Sequence, residues 1–293
     1  MNIFFIVNPV AGKGKSKDLI PFIESACKEN KVNYKIEISN GEGSVKHLAK
    51  QAVSEGYKKV IAVGGDGTIN EVVNGIVGYD AALGIIPGGS GNDFLRSISN
   101  NSDPLNAIQD VIHGTISKID LGLCNNRYFI NVGSVGIDAE VVIRTETTKK
   151  IFSGSLAYIA AALYTIFTYK GWNLRIDIDN HIIQGKTLLT AVANGKYYGG
   201  GIMPAPKAKI DDGYYDLCHI SHMSKLKMFS VFPKYIKGTH SNIKEVTFIK
   251  GKQINITCDT PFAINLDGEI MIDTKADFSI IHQGIDVIFP KSK

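Results

Sequence analysis

The residues whose types and spacing suit a phosphate group are Gly64-Gly65-Asp66-Gly67-Thr68-Ile69-Asn70-Glu71. An apolar run at 59–63 precedes them and reads as a buried strand; residues 72–77 read as the start of a helix. Glycine has no Cβ, so backbone amides at such a junction can approach an oxyanion closely. The helix N-terminus adds unpaired N–H groups and a favourable dipole. A bare strand-to-helix turn would account for the glycines, but it has no need of Asp66, Thr68, Asn70 and Glu71 in the same turn. A second segment, Ile86-Pro87-Gly88-Gly89-Ser90-Gly91-Asn92-Asp93-Phe94, leaves a strand and enters a helix in the same way. Ser90 and Asn92 there supply hydrogen bonds where backbone is exposed, and Asp93 is placed to cap a helix. A third, Asn8-Pro9-Val10-Ala11-Gly12-Lys13-Gly14, reads as a lid or phosphate-facing turn. Lys13 and Lys15 would neutralise phosphate there, or stand as solvated surface lysines.

Spacing excludes two common phosphate loops. A dinucleotide fingerprint needs a third glycine where Asn70 stands counting from Gly65, and where Lys17 stands counting from Gly12. The Walker pattern ends acceptably at Gly14-Lys15-Ser16 but has Pro9 in place of its first glycine.

The elements that must position these loops alternate strand and helix up to about residue 120. Residues 3–7, 34–38, 59–63 and 82–86 read as strands, and 17–30 and 44–55 as helices. This rhythm predicts a parallel sheet with helices on both faces, which binds ligands at the carboxyl ends of its strands. Asn8, Ser39, Gly64 and Pro87 all fall at such ends. Beyond about residue 120 the pattern changes to two-residue alternation at Leu174, Ile176 and Ile178, followed by a turn at Asp179-Asn180. Further strands are expected at 188–193, 215–219, 245–250, 253–258 and 276–282, with one helix at about 155–169. The expectation is an α/β nucleotide-binding domain over 1–120 and an antiparallel β-sandwich or barrel over 121–293, its last residues free to pack back on the first domain.

With 293 residues, 44% of them hydrophobic, the chain can bury two cores. A net charge of +4 suits an anionic substrate or transient contact with an anionic membrane surface, and is too small to argue for nucleic acid. The four cysteines lie far apart with no Cys-x-x-Cys, which leaves reduced thiols in a cytosol as the simplest reading. The apolar N-terminus meets Asn8-Pro9 at once and lacks a basic leader, so it reads as a strand and not a signal peptide. The longest apolar stretch, 156–167, is shorter than the roughly 20 residues a membrane span needs. His219 and His222 are three apart on a strand and so face opposite ways, which argues against a shared metal.

Taken in order, Asn8-Pro9-x-Ala11-Gly12, Gly64 through Glu71, and Pro87-x-Gly89-Ser90-x-Asn92-Asp93-Phe94 resemble the three N-terminal motifs of the diacylglycerol kinase and sphingosine kinase-type lipid kinases. Asn194-Gly195, Gly199-Gly200-Gly201, Pro204, Ala208, Asp212-Gly213 and Leu266-Asp267-Gly268-Glu269 resemble second-domain motifs of the bacterial members. The resemblance covers nearly the whole chain. It implies an NAD kinase/phosphofructokinase-like doubly wound α/β domain joined to an antiparallel β-sandwich, with ATP and Mg2+ bound between them. It implies nucleotide contacts from Asn8, Gly12, Ser39, Gly64, Gly65, Asp66, Gly67, Thr68, Ile69, Asn70, Glu71, Gly89, Ser90 and Asn92. Ser39 and Ser90 depart from the family's usual threonine but keep a hydroxyl. It implies a magnesium ion on Asp212 and the backbone carbonyls of Lys209 and Tyr214. Oxygen ligands suit that hard cation, although an ordinary Asp-Gly turn fits the same residues. Asp120 matches a family aspartate near the metal network, or closes a domain-boundary turn.

Asp267 and Glu269 are the expected catalytic pair. At i and i+2 on a strand they would share a face, one taking the proton of an acceptor hydroxyl and the other orienting it; a surface turn between strands is the alternative. The resemblance therefore implies transfer of the ATP γ-phosphoryl group to a lipid hydroxyl. Diacylglycerol is the default acceptor, giving phosphatidic acid, with phosphatidylglycerol, a sphingoid base or a polyprenol left open. The enzyme would be cytoplasmic and peripheral at the inner membrane face, reaching its lipid by reversible surface contact, with a homodimer left open. Two rivals remain. An NAD kinase shares Gly-Gly-Asp-Gly-Thr but is not expected to carry the Pro87–Phe94 or Leu266–Glu269 motifs. A non-catalytic nucleotide- or lipid-binding regulator would have no need of Asp212, Asp267 and Glu269.

Overall fold

The computed structural model describes residues 2–89, 91–99, 102–148, 161 and 164–291. Short β-branched runs build the first sheet. β1 (Asn2–Val7), β2 (Asn33–Ile38), β3 (Lys59–Gly64) and β4 (Ala82–Pro87) are parallel, in the order β4-β3-β1-β2. β3 and β4 are buried along their whole length, as strands covered on both faces must be. β2 lies at the edge and is only half-buried.

Helices Ile20–Glu29, Ser44–Ser54, Asp66–Ile76 and Pro104–His113 accompany these strands. The helix expected over 17–30 is broken at Leu19 into Lys15–Asp18 and Ile20–Glu29. Pro21, in the first turn of the second piece, has no N–H to continue the first. Asp103 caps Pro104–His113 by accepting the Leu105 N–H at 3.3 Å. At the other end of that helix, the buried Lys59 ammonium donates to the carbonyls of Val111 and Ile112 at 3.0 and 3.1 Å. A cation there meets the negative end of the helix dipole; burial pushes its pKa down.

The chain divides into two compact units. The first comprises Met1–Leu121, Tyr128–Ile130 and Ile281–Lys293; the second comprises Gly122–Arg127 and Asn131–Ile280. In the first unit the end of β13 (Glu269–Phe289) pairs in parallel with β4, Asp286 opposite Ala82 and Val287 opposite Leu83. That stretch is held to β5 (Thr115–Cys124), the neighbour of the short β6 (Arg127–Phe129), by Asp120, which is fully buried and accepts from His282 Nδ1 at 2.7 Å and from the Gln283 N–H at 2.9 Å.

The second unit is antiparallel. β7 (Val132–Gly136), β8 (Trp172–Ile178), β9 (His181–Ala193), β10 (Tyr215–Ser221), β11 (Val246–Gly251) and β12 (Gln253–Leu266) follow the order β11-β10-β9-β7-β12-β13, with β8 pairing β9 and β12. Asp179-Asn180 turns β8 into β9. β12 and β13 run well past the expected 253–258 and 276–282. The β12–β13 register shifts between Thr257 and Phe262, where Asp259-Thr260-Pro261 interrupts the alternation; a bulge erases the two-residue pattern without ending the strand. Helices Ile137–Thr148 and Lys225–Ile236 are additional to the sequence reading, the latter despite Pro233. Of the helix expected at 155–169, residues 161 and 164–168 are helical and 155–160, 162 and 163 lie outside the described residues. Among the described residues no helix is long and apolar enough to cross a membrane. The cysteines are free, with Cys27, Cys124 and Cys218 buried.

Gly75 marks where helices Ser44–Ser54 and Asp66–Ile76 touch. A Cβ there would stand 2.5 Å from Ala49 Cβ and 2.9 Å from the Lys46 carbonyl oxygen. Gly75→Ala is therefore expected to destabilise the protein by about 1–3 kcal/mol in urea melts, against its gain in helix propensity; unchanged stability would show that the two helices do not pack this closely.

Candidate active site

The carboxyl ends of the first sheet are in register. Val7 lies opposite both Ile38 and Val63, and Gly64 lies opposite Pro87. The loops that follow interlock. Asn8 Nδ2 donates to Thr68 Oγ1 at 3.0 Å, while Asn8 Oδ1 accepts the Val10 N–H at 3.2 Å. The Asp66 carboxylate accepts the N–H groups of Asp93 and Phe94 at 2.8 and 3.4 Å, tying the first glycine loop to the second. Burial pushes the Asp66 pKa up and these N–H groups pull it back.

Most of the loop glycines are explained by packing. A Cβ on Gly12 would collide with the Gly88 carbonyl, one on Gly64 with Thr68, and one on Gly88 with Ser16; one on Gly89 would stand 2.6 Å from Gly65 Cα. Gly67 is different. It is exposed, it has no left-handed φ, and a Cβ there would meet nothing within 4 Å. It stands in the first turn of an 11-residue helix whose N-terminus has no side-chain cap. Glycine there costs roughly 1 kcal/mol relative to alanine, and nothing among the described residues requires it. A ligand that must come within van der Waals reach of the backbone does, and the uncapped amides suit an anion.

The other expected nucleotide residues fall into two groups. Asn8, Gly12, Gly65, Asp66 and Asn92 lie in the interlocked loops, with Asn92 Nδ2 donating to the Gly89 carbonyl at 3.2 Å. Ser39, Ile69 and Asn70 are buried. Asn70 is held by Asn74 Nδ2, which donates to its carbonyl at 3.0 Å and to the Tyr128 carbonyl at 2.9 Å. Glu71 accepts the Lys46 N–H at 3.2 Å, in the first turn of helix Ser44–Ser54. Its carboxylate is thus engaged within the fold. Ser90 lies outside the described residues.

In the second unit, Asp267 and Glu269 are brought together differently from the strand expectation. β12 ends at Leu266 and β13 starts at Glu269, paired with each other. Asp267 and Gly268, with φ of 51° and 95°, form the two-residue hairpin turn between them. Asp-Gly favours a mirror-image turn of this kind, and the alternation of strand faces does not carry across it. Asp267 is oriented by backbone: it accepts the Val132 N–H at 2.9 Å and the Asn131 N–H at 3.1 Å, while its own N–H donates to the Val132 carbonyl at 3.1 Å. Asn265 Oδ1 accepts the Gly268 N–H at 2.9 Å. Glu269 is ion-paired with Arg127. The sequence reading missed Arg127 and Asn131, which lie 142 and 136 positions from their partners in the chain and carry no local signal.

Among the described residues no three His, Cys, Asp or Glu side chains converge on a metal. The turn at 209–214 offers oxygen instead. Asp212 accepts the Tyr214 N–H at 3.1 Å and pairs with Lys250 at 2.6 Å, and Lys250 also reaches Asp216 at 3.0 Å. Asp212 and the backbone carbonyls of Lys209 and Tyr214 are oxygen donors of the chemical kind that Mg2+ takes, since that ion keeps several of its waters; in this structure the Asp212 carboxylate is held by Lys250. Asp120 is engaged with His282 and Gln283, as described above.

The second unit also has a partly open cavity of about 70 Å³, whose walls include Ile137, Val141, Leu188, Met228, Val231 and Phe232. Asp138 is the only charged side chain among its described lining residues. Neither Asp138 carboxylate oxygen has a partner in hydrogen-bonding geometry among the described residues. Burial pushes its pKa from 3.8 up to about 6; Ser134, the Ala139 N–H and Tyr198 offset this only in part.

Comparison with known proteins follows the same two-part division. Residues 2–124 match the diacylglycerol kinase catalytic domain, and residues 131–289 match the YegS C-terminal NAD kinase beta sandwich-like domain. The chain is 34% identical to a diacylglycerol kinase of Staphylococcus epidermidis over 98% of its own length and 91% of that protein's. It is 34% identical to one of Staphylococcus aureus over 97% and 91%. A crystal structure of a diacylglycerol kinase from Bacillus anthracis shares the fold, with a TM-score of 0.75 at 22% identity over 98% and 96% of the two chains. The fold and loops define an α/β–β-sandwich kinase, and kinases of this kind use ATP. The chain belongs to the diacylglycerol kinase catalytic-domain family of lipid kinases.

Two outcomes follow from this geometry. Gly67→Ala is expected to stabilise the protein by about 0.4–1 kcal/mol and to weaken ATP binding about tenfold; paired melts and calorimetric titrations check both signs. For Asp138, the folded state holds the proton more tightly than the unfolded chain. Stability is therefore expected to fall by on the order of 1–3 kcal/mol as pH rises from about 4 through about 6. Asp138→Asn should abolish this slope in denaturant melts across that window, and a variant that keeps it would place the titration elsewhere.

Proposed function

We propose that this chain transfers the γ-phosphoryl group of ATP to the hydroxyl of diacylglycerol, giving phosphatidic acid and ADP. The observation that carries the acceptor is the 34% identity to diacylglycerol kinases along almost the whole chain; the apolar walls and single buried carboxyl of the pocket in the second unit are of the kind a lipid and a hydroxyl would meet. The phosphates of NAD would find no cation among the described residues that line the pocket.

The chain's own residues divide the work. The uncapped amides at Gly67, with the loops that Asn8, Gly12, Gly89 and Asn92 shape, hold the nucleotide phosphates. Asp267, fixed by two backbone N–H groups, accepts the proton of the acceptor hydroxyl as its oxygen bonds to the γ-phosphorus and the bond to the ADP oxygen breaks. Glu269, anchored by Arg127, orients the acceptor. Mg2+, when bound, supplies charge neutralisation for the phosphates; Asp212 and the carbonyls of Lys209 and Tyr214 are the residues that would hold it. The enzyme works at the cytoplasmic face of a membrane, as a peripheral protein that meets its lipid by reversible contact.

The test is transfer of labelled γ-phosphate to diacylglycerol, phosphatidylglycerol and sphingosine in mixed micelles, with NAD as a soluble control. Label is expected in diacylglycerol, and Asp267→Asn is expected to lower turnover about 10²–10⁴-fold without changing the melting temperature. Label in NADP, or in no acceptor while ATP still binds, would overturn the proposal.

A further inference from the structure

The helix Lys225–Ile236 has two unlike faces. Met228, Val231 and Tyr235 are buried, and they line the cavity. On the opposite face Leu226 is 85% exposed. Phe229, one turn on and half-buried where it flanks the core, meets Phe167 at a tilt of 54° with ring centroids 5.1 Å apart, and Phe167 is itself 57% exposed. The Lys225 ammonium donates to the Phe167 carbonyl and ties the two segments together. Tyr164, one helical turn before Phe167, is 58% exposed and lies under the Arg144 guanidinium at 5.0 Å. Leu226, Phe229, Phe167 and Tyr164 therefore form one continuous strip, each joined to the next by a ring contact or by a three-residue helical step. A single exposed leucine is ordinary; a contiguous strip of large apolar side chains marks an interaction site.

The surrounding charge selects the partner. Residues 222–244 contain five lysines and neither aspartate nor glutamate. Lys227 is paired with Glu245, while Lys225, Lys234 and Lys237 are exposed. A protein partner of matching shape would have to be both apolar and acidic. A bilayer with anionic headgroups offers both at once: acyl chains for leucine and the aromatic rings, and phosphates for the lysines.

We infer that the strip Leu226, Phe229, Phe167 and Tyr164, with its lysine rim, is the surface on which this protein docks to an anionic lipid bilayer. The docking takes its purpose from the lipid-acceptor reading, but it is measured without any phosphoryl transfer. Vesicles of phosphatidylcholine with and without phosphatidylglycerol are sedimented with the wild type, Leu226→Glu and Phe167→Glu. The wild type is expected to bind the anionic vesicles, to bind neutral ones more weakly, and to be released at about 0.5 M salt. Each variant is expected to bind anionic vesicles about tenfold more weakly or worse, with the wild-type melting temperature and unchanged turnover of a short-chain diacylglycerol dispersed as monomers. Vesicle binding lost in the variants while no preparation phosphorylates any lipid would support the docking surface and remove the acceptor reading. Variants that bind as the wild type does, or a wild type that ignores anionic vesicles, would overturn the inference. So would a dimer, seen by sedimentation velocity, that Leu226→Glu dissolves while vesicle binding survives; the strip would then belong to a second copy of the chain.

Discussion

The packing of one glycine loop into another sets the first unit. Gly12 against Gly88, Gly88 against Ser16 and Gly89 against Gly65 leave no room for side chains, and Asp66 fastens the two main loops with hydrogen bonds to backbone N–H groups. Each loop is rigid because the others fill it. The strand register below brings four chain segments to one level, and the Asn8–Thr68 hydrogen bond joins the first to the third. With the loops pinned, the amides at the start of helix Asp66–Ile76 stay open in a fixed direction. Phosphoryl transfer gains most from such preorganised donors, which need not reorganise as charge moves.

Carboxylates in this chain are handled in three ways. Asp66 and Asp267 accept backbone N–H groups, which fix the orientation of each carboxylate. Glu269 and Asp212 are ion-paired with Arg127 and Lys250. Asp138 lies in apolar surroundings and is pushed towards its neutral form. Neutral, it can donate a hydrogen bond as well as accept one, which an ionised aspartate cannot. Below about pH 6 that lets it donate to a hydroxyl or an ester carbonyl; above it the carboxylate only accepts.

What the sequence made legible was whatever chemistry sits in one contiguous stretch. The three glycine loops, the parallel strand ends and the Asp179-Asn180 turn are each written within ten residues, and the structure places them as read. What stayed hidden depended on distance or on backbone sign. Positive φ at Asp267 and Gly268 turned an expected strand face into a hairpin tip. The partners of Asp267 and Glu269 come from 127–132, too far along the chain for any local pattern. Helix Lys225–Ile236 carries Pro233, which argues against a helix on propensity alone; burial of Met228, Val231 and Tyr235 prevails over it. Asp138 looks like any acidic residue in the first turn of a helix until its walls are known.

The first sheet has one strand that arrives late. β4 is buried along its whole length, and its outer neighbour is the end of β13, made about 160 residues after Leu121. During synthesis β4 is therefore an apolar sheet edge with no cover for most of the time the chain is being made. Such an edge is a template for pairing with other chains. A fragment that stops at Leu121 keeps the loops after β1, β3 and β4 while leaving that edge open.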